Sequence, residues 1–191
     1  RHQNHYCDSD DFVTVGTTSR GNVIEINKFA MECDHRILVG GIVFHFLAGF
    51  GGGRKMVLPG ISSRNTINTD HKYYFLPGPA GSGAVETCAN GITDGNPVHE
   101  DMLEAAKLAK ISFIVNSVVD RTNTIAKCFA GDLIRKVMNS LRNSTALRSM
   151  RRLTLLSHQH ADILRTSTSI RQALNPYSMP SELLSPRKVL L

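Results

Sequence analysis

Arg36-Ile-Leu-Val-Gly-Gly-Ile-Val-Phe44 is a nearly uninterrupted apolar run rich in branched residues, and it leads directly into His45-Phe-Leu-Ala-Gly-Phe-Gly-Gly-Gly-Arg-Lys55. The first stretch has the composition of a strand buried on both faces of an α/β sheet. The second places a histidine, three glycines and a lysine just beyond that strand. Ligands of open α/β sheets collect beyond the carboxyl ends of the strands, so this loop occupies the expected position of an active site. Met56-Val-Leu-Pro59-Gly60 follows, and a second histidine stands at His71.

The flanking segments agree with an α/β class. Phe12-Val-Thr-Val-Gly16 and Val23-Ile-Glu-Ile-Asn27 are short β-rich runs on either side of a polar, glycine-ended turn, which predicts a two-stranded ribbon. Residues 96–109 predict a helix: Asn96 can cap it, Pro97 suits its first turn, and acidic residues crowd its N-terminal end. Val98, Met102, Ala105, Ala106 and Ala109 would form its buried stripe. Ile111–Val119 reads as a strand, residues 120–123 as a turn, and Thr124–Ala130 as a second strand. The order β, loop, α, β, β predicts a mixed sheet with flanking helices over residues 1–132. An amphipathic helix is expected from Leu133 to Leu141, followed by a weakly ordered basic tail to residue 191.

Charge divides along the same boundary. Residues 1–132 carry 12 Lys and Arg against 14 Asp and Glu, whereas residues 133–191 carry 10 against 2. The net charge of +6 therefore belongs to the tail, whose arginines have no interleaved aromatics, and a nucleic-acid partner is not expected. No segment approaches the roughly 18–20 apolar residues of a membrane span, and no signal-peptide order is present. Four scattered cysteines without a Cys-x-x-Cys pair fit a reducing cytoplasm.

Glycines 51, 52 and 53 allow backbone angles closed to other residues, so consecutive amides could converge on an anion or let a ligand approach the main chain. The nucleoside-triphosphatase pattern is not met: Arg54 precedes Lys55 where glycine is required, and Met56 follows where Ser or Thr would hold magnesium. Lys55, beside another cation and at an expected helix start, is a candidate nucleophile; a solvated phosphate-binding lysine is the alternative. His45 and His71 taken singly are a strand-end and a loop histidine. Their joint spacing around the glycines makes them a candidate site. A zinc hydrolase using both is the weaker reading, since no compact ligand pair such as His-x-x-x-His accompanies them.

These residues resemble the signature of the nickel-pincer-nucleotide lactate racemase family. The resemblance runs through His45, Ala48–Lys55, Pro59-Gly60 and His71. It extends to Val15–Gly21, Val23, Asn27, Asp34 and Arg36-Ile upstream, and to Gly95–His99, Phe113–Asn116 and Phe129–Gly131 downstream. It covers roughly residues 5–132.

The resemblance implies an isomerase that racemises or epimerises small 2-hydroxy acids by reversible hydride transfer, using a pyridinium mononucleotide with two sulfur-bearing arms that hold nickel. It implies that Lys55 carries the cofactor covalently, that Gly51, Gly52, Gly53 and Arg54 contact it, and that His71 ligates nickel. His45 is then one of two histidines acting as general acid and base. Cofactor-biosynthesis proteins are implied partners.

The departures also matter. The family's partner histidine lies upstream of the segment matching Arg1, and His2 and His5 sit too close to the ribbon to replace it. Beyond Ala161-Asp-Ile163 the family's Ser/Gly/Gly/Tyr/Pro-type loop gives way to Leu-Arg-Thr-Ser-Thr-Ser-Ile-Arg, which points to a shifted reading frame. The expectation is a domain truncated at its N-terminus with a divergent tail and half an active site. The alternative function is a noncatalytic remnant that binds a nucleotide or phosphate.

Overall fold

Branched residues on both sides of a polar turn give the first element pair, β1 (Phe12–Thr17) and β2 (Val23–Asn27). They run antiparallel, with Phe12 opposite Asn27 and Thr17 opposite Val23, as the sequence predicts. The computed structural model describes residues 3–79, 83–119 and 125–131. The turn expected at 120–123, the helix expected from Leu133 to Leu141 and the basic tail lie outside these residues. Ile24 and Ile26 turn into the core from β2, and Asn27 then accepts the Ala30 N–H to cap the single-turn helix α1 (Lys28–Met31).

The main sheet has the order β3–β6–β7. Strand β3 (Ile37–Gly41) is parallel to β6 (Phe113–Val119), which is antiparallel to β7 (Ile125–Gly131). A parallel neighbour demands a long crossover. Here the crossover carries a second ribbon, β4 (Phe44–His45) with β5 (Gly49–Phe50), a 3-10 turn at Gly53–Met56, and helices α2 (Arg64–Lys72) and α3 (Pro97–Leu108). All of the candidate site residues lie in this crossover.

Helix α3 is the element that the sequence predicts most closely. Asn96 sits in extended geometry and accepts the His99 N–H at 3.0 Å, Pro97 opens the first turn, and all five residues of the expected stripe are fully buried. Two expectations about the run at 36–44 are corrected. It is not one strand: after Ile42 donates to the Ser117 carbonyl the chain leaves the sheet, and Phe44 and His45 pair instead with Phe50 and Gly49. Nor is it buried on both faces. Leu38 and Ile114 face the core, while Ile37, Val39 and Phe113 are 41%, 50% and 41% exposed, because among the described residues only one face is covered. Apolar composition reports that a strand can be buried, not that a second layer is present.

No helix among the described residues is long and apolar enough to cross a membrane. Cys7, Cys33, Cys88 and Cys128 are all free thiols.

Met102 is fully buried on the core-facing stripe of α3. Met102→Ala should lower unfolding stability by about 2–5 kcal/mol in urea titration. Lys107→Ala on the solvent face should change it by no more than about 0.5 kcal/mol.

Candidate active site

The ribbon β4–β5 turns so tightly that its geometry determines the histidine. Gly49 has φ +73°, and a Cβ there would stand 2.2 Å from the Ile92 carbonyl oxygen, so only glycine fits. The turn aims the N–H groups of Leu47 and Ala48 at His45 Nδ1, each at 3.2 Å. A ring nitrogen that accepts cannot carry the hydrogen, so the neutral imidazole holds it on Nε2. That nitrogen lies 2.7 Å from Lys55 Nζ. The amine and the ring nitrogen are thus in direct hydrogen-bond contact. Phe46, 57% exposed, stacks on the imidazole with a centroid separation of 5.1 Å.

Three donors hold this turn from outside, one on each successive carbonyl, and the Asn96 and Arg54 side chains among them are buried. Asn96 Nδ2 donates to Leu47 at 2.9 Å, Arg54 Nη2 to Ala48 at 2.6 Å, and the Gly91 N–H to Gly49 at 2.9 Å.

The glycine run plays a different part from the expected anion cradle. The Gly51 N–H donates to the Val43 carbonyl at 2.7 Å and the Gly53 N–H to Asn116 Oδ1 at 3.2 Å. Two of the three amides are therefore spent on the protein. Gly52, at φ +74°, packs so closely that a Cβ would meet the Gly41 carbonyl at 2.8 Å. The run lets the chain double back over the end of β3 and β6. Lys55 then falls in the 3-10 turn at Gly53–Met56, not at the start of an α-helix as expected.

Arg54 is 1% exposed, with its side chain turned inward. Apart from the bond to Ala48, its Nε and Nη1 find no acceptor among the described residues. Burial lowers its pKa to about 10, opposed by the charge of Asp70. Asp70 is fully buried, and neither carboxylate oxygen accepts a hydrogen bond. Burial raises its pKa to about 6, against the pull of His71 and Lys55, while Asp101 pushes in the same direction as burial. The 3-10 turn and the end of α2 thus surround one acid.

His71 occupies the last turn of α2, where its Nδ1–H donates to the Ile67 carbonyl at 2.8 Å. Asp70 Oδ2 is 3.2 Å from the same nitrogen, but the hydrogen points to the carbonyl. Nε2 keeps its lone pair. This is how metal-binding imidazoles are held: one nitrogen is anchored to an acceptor and the other is presented to the metal. Among the described residues no group of three or more His, Cys, Asp or Glu could hold a metal. A zinc hydrolase therefore finds no ligand set among those residues.

The structure joins His45 directly to Lys55 and links Lys55 to His71 through Asp70. Sequence reasoning missed Asp70, Asn116 and the second role of Asn96. Asn116 had a legible signal, being an amide in the middle of Phe-Ile-Val-Asn-Ser-Val-Val.

A mixed α/β domain with a histidine–lysine pair on the crossover beyond a parallel strand defines the class. Residues 1–82 match the lactate racemase N-terminal domain, and over this region the chain is similar to the lactate racemase family. The lactate racemase of Thermoanaerobacterium thermosaccharolyticum is 41% identical over 123 residues, 64% of this chain and 27% of that protein. That of Lactiplantibacillus plantarum is 41% identical over 126 residues, 66% of this chain and 28% of that protein. The structure of the T. thermosaccharolyticum lactate racemase apoprotein superposes with a TM-score of 0.61 at 37% identity, covering 69% of this chain and 30% of that one. A Thermotoga maritima protein shares the fold, with a TM-score of 0.53 at 22% identity over 82% of this chain and 39% of its own. The chain spans less than a third of the length of the lactate racemases it matches.

Asp70 titrates higher in the folded chain than in the unfolded one, so the folded state binds the extra proton between about pH 4 and 6 and loses stability as pH rises through that window. Asp70→Asn should remove this loss. Urea midpoints measured from pH 4 to 7 should fall for the parent and stay level for the variant; parallel curves would contradict the assignment.

Proposed function

We propose that this chain carries the cofactor-anchoring half of a racemase or epimerase for small 2-hydroxy acids, working with a nickel pincer nucleotide. The observation that carries the reading is the 2.7 Å contact between Lys55 Nζ and His45 Nε2. The contact places the Lys55 amine at a fixed point beside the imidazole, which is where a covalent amide-type link to a cofactor arm would be made. The donor chemistry also fits the metal, since His71 offers one neutral nitrogen to an ion whose remaining donors would be sulfur and carbon from the cofactor. When bound, the cofactor supplies a reversible acceptor for the hydrogen on the substrate Cα.

The chain's own residues handle the proton and the geometry. Once Lys55 is committed to the cofactor, the Nε2–H of His45 becomes available to the substrate oxygen, to which it donates a hydrogen bond as the carbonyl forms. Leu47 and Ala48 keep the ring in one orientation throughout. Phe46 covers one face of the imidazole, so a reacting group approaches Nε2 in the ring plane. His45 serves one face of the substrate, and inversion requires a second acid/base group on the other. Purely noncatalytic phosphate binding through the glycine loop has less support, because the Gly51 and Gly53 amides are already bonded within the protein. A cytoplasmic setting with the enzymes that build the cofactor completes the proposal.

Intact-mass analysis of the chain coexpressed with the cofactor-making machinery should show a covalent adduct that Lys55→Ala abolishes. An unchanged parent mass would count against the reading. His71→Ala should retain the adduct while losing nickel by elemental analysis, and nickel retained at parent stoichiometry would refute the ligand role.

A further inference from the structure

We propose that the apolar stripe Leu133, Ile134, Val137, Met138 and Leu141, in the segment beyond the described residues, docks on the open face of the main sheet and supplies its second layer. The strand register defines what that face presents. Ile37 stands opposite Phe113, and Val39, Val115 and Ala130 form the next row across all three strands. Cys128, two residues before Ala130 on β7, lies on the same side. The alternate positions belong to the core: Leu38 with Ile114, and Asn116 with Phe129. Ile37, Val39, Phe113, Cys128 and Ala130 are all exposed, so an apolar face of three strands stands uncovered among the described residues.

Connection, pattern and length single out the occupant. Strand β7 ends at Gly131, paired with Ile114 beside the Ile37–Phe113 row. Gly131 has φ +150°, an angle other residues disfavour, so the chain can leave the strand sharply there, and Asp132 alone separates it from Leu133. Asp is a residue type that caps helix N-termini. Positions 133, 134, 137, 138 and 141 recur at helical spacing, while Arg135, Lys136, Asn139 and Ser140 fill the gaps, so one side is apolar and the other polar. Nine helical residues would span about 14 Å and the five residues of β3 about 16 Å, so stripe and face match in length. On so short a tether the stripe meets the face at an effective concentration that a second copy of the chain cannot match in dilute solution. Docking gives β3 the second covering layer that its branched residues suit. It also braces β6, whose Asn116 accepts the Gly53 N–H on the opposite side of the sheet, next to the site.

Cys128 reports on this face directly. The full chain, prepared without cofactor, would be treated with iodoacetamide under native conditions and the labelled residues located by peptide mass spectrometry, with the buried Cys88 as the gauge of folding. Cys128 should react on the order of tenfold more slowly in the parent than in Val137→Asp, which sets a charge in the stripe. Asn139→Asp, on the polar side, should keep the parent rate. Equal Cys128 rates in the parent and Val137→Asp, with Cys88 unlabelled in both, overturn the proposal, whether the thiol is freely reactive or protected in each. Shared protection with a dimeric sedimentation mass would assign the face to a second copy instead.

If Val137→Asp also exposes Cys88, that variant has unfolded and milder substitutions decide. The thiol introduced by Met138→Cys should then react slowly and the one introduced by Asn139→Cys quickly. Any other order overturns the docking.

Discussion

The site depends on one constraint: the His45 ring must be gripped at Nδ1 by two backbone amides so that Nε2 meets the Lys55 amine. Much of the surrounding structure serves that grip. Gly49 lets the ribbon close, the Asn96 and Arg54 side chains and the Gly91 amide hold its three carbonyls, and the glycine run folds Lys55 back within 2.7 Å of the ring. Backbone amides are good orienting groups because their own ladder or turn holds them and they add no side-chain entropy to lose.

Beneath the pair lies an electrostatic arrangement that a stability-optimised core would avoid. Arg54 and Asp70 are both buried, each is shifted toward its neutral form by desolvation, and each leaves hydrogen-bonding atoms without protein partners. Burying such groups costs free energy unless they are paired. Their placement under Lys55 and beside His71 makes sense if the charge balance of the site matters more than the stability lost. Strain and unpaired polarity concentrate at functional positions for that reason.

What was legible in the sequence follows from the range of the interactions involved. Helix α3 was readable to within a residue at each end because its cap, its first-turn proline and its apolar stripe are local signals, and the β1–β2 ribbon was readable from alternation and turn chemistry. Helix α2 was not: Arg-Asn-Thr-Ile-Asn-Thr-Asp-His-Lys contains one apolar residue, and its helicity rests on the Ser63 cap and on contacts from distant β2. The exposed face of β3 was misread because apolar content does not say which layers are present. That His45, Lys55 and His71 form a candidate site was legible from their spacing around the glycines, while their roles toward one cofactor came only from the family resemblance. Their geometry depends on Asp70, Asn96 and Asn116, whose roles arise from contacts far apart in the chain.

The central claim is that Lys55 and His71 hold the two ends of one metal-bearing cofactor. Nickel K-edge absorption of the full chain, coexpressed with the cofactor-making machinery, tests it most directly. The account predicts nickel with sulfur neighbours and a single imidazole nitrogen. Nickel surrounded only by oxygen and several imidazole nitrogens, with no sulfur, would contradict it.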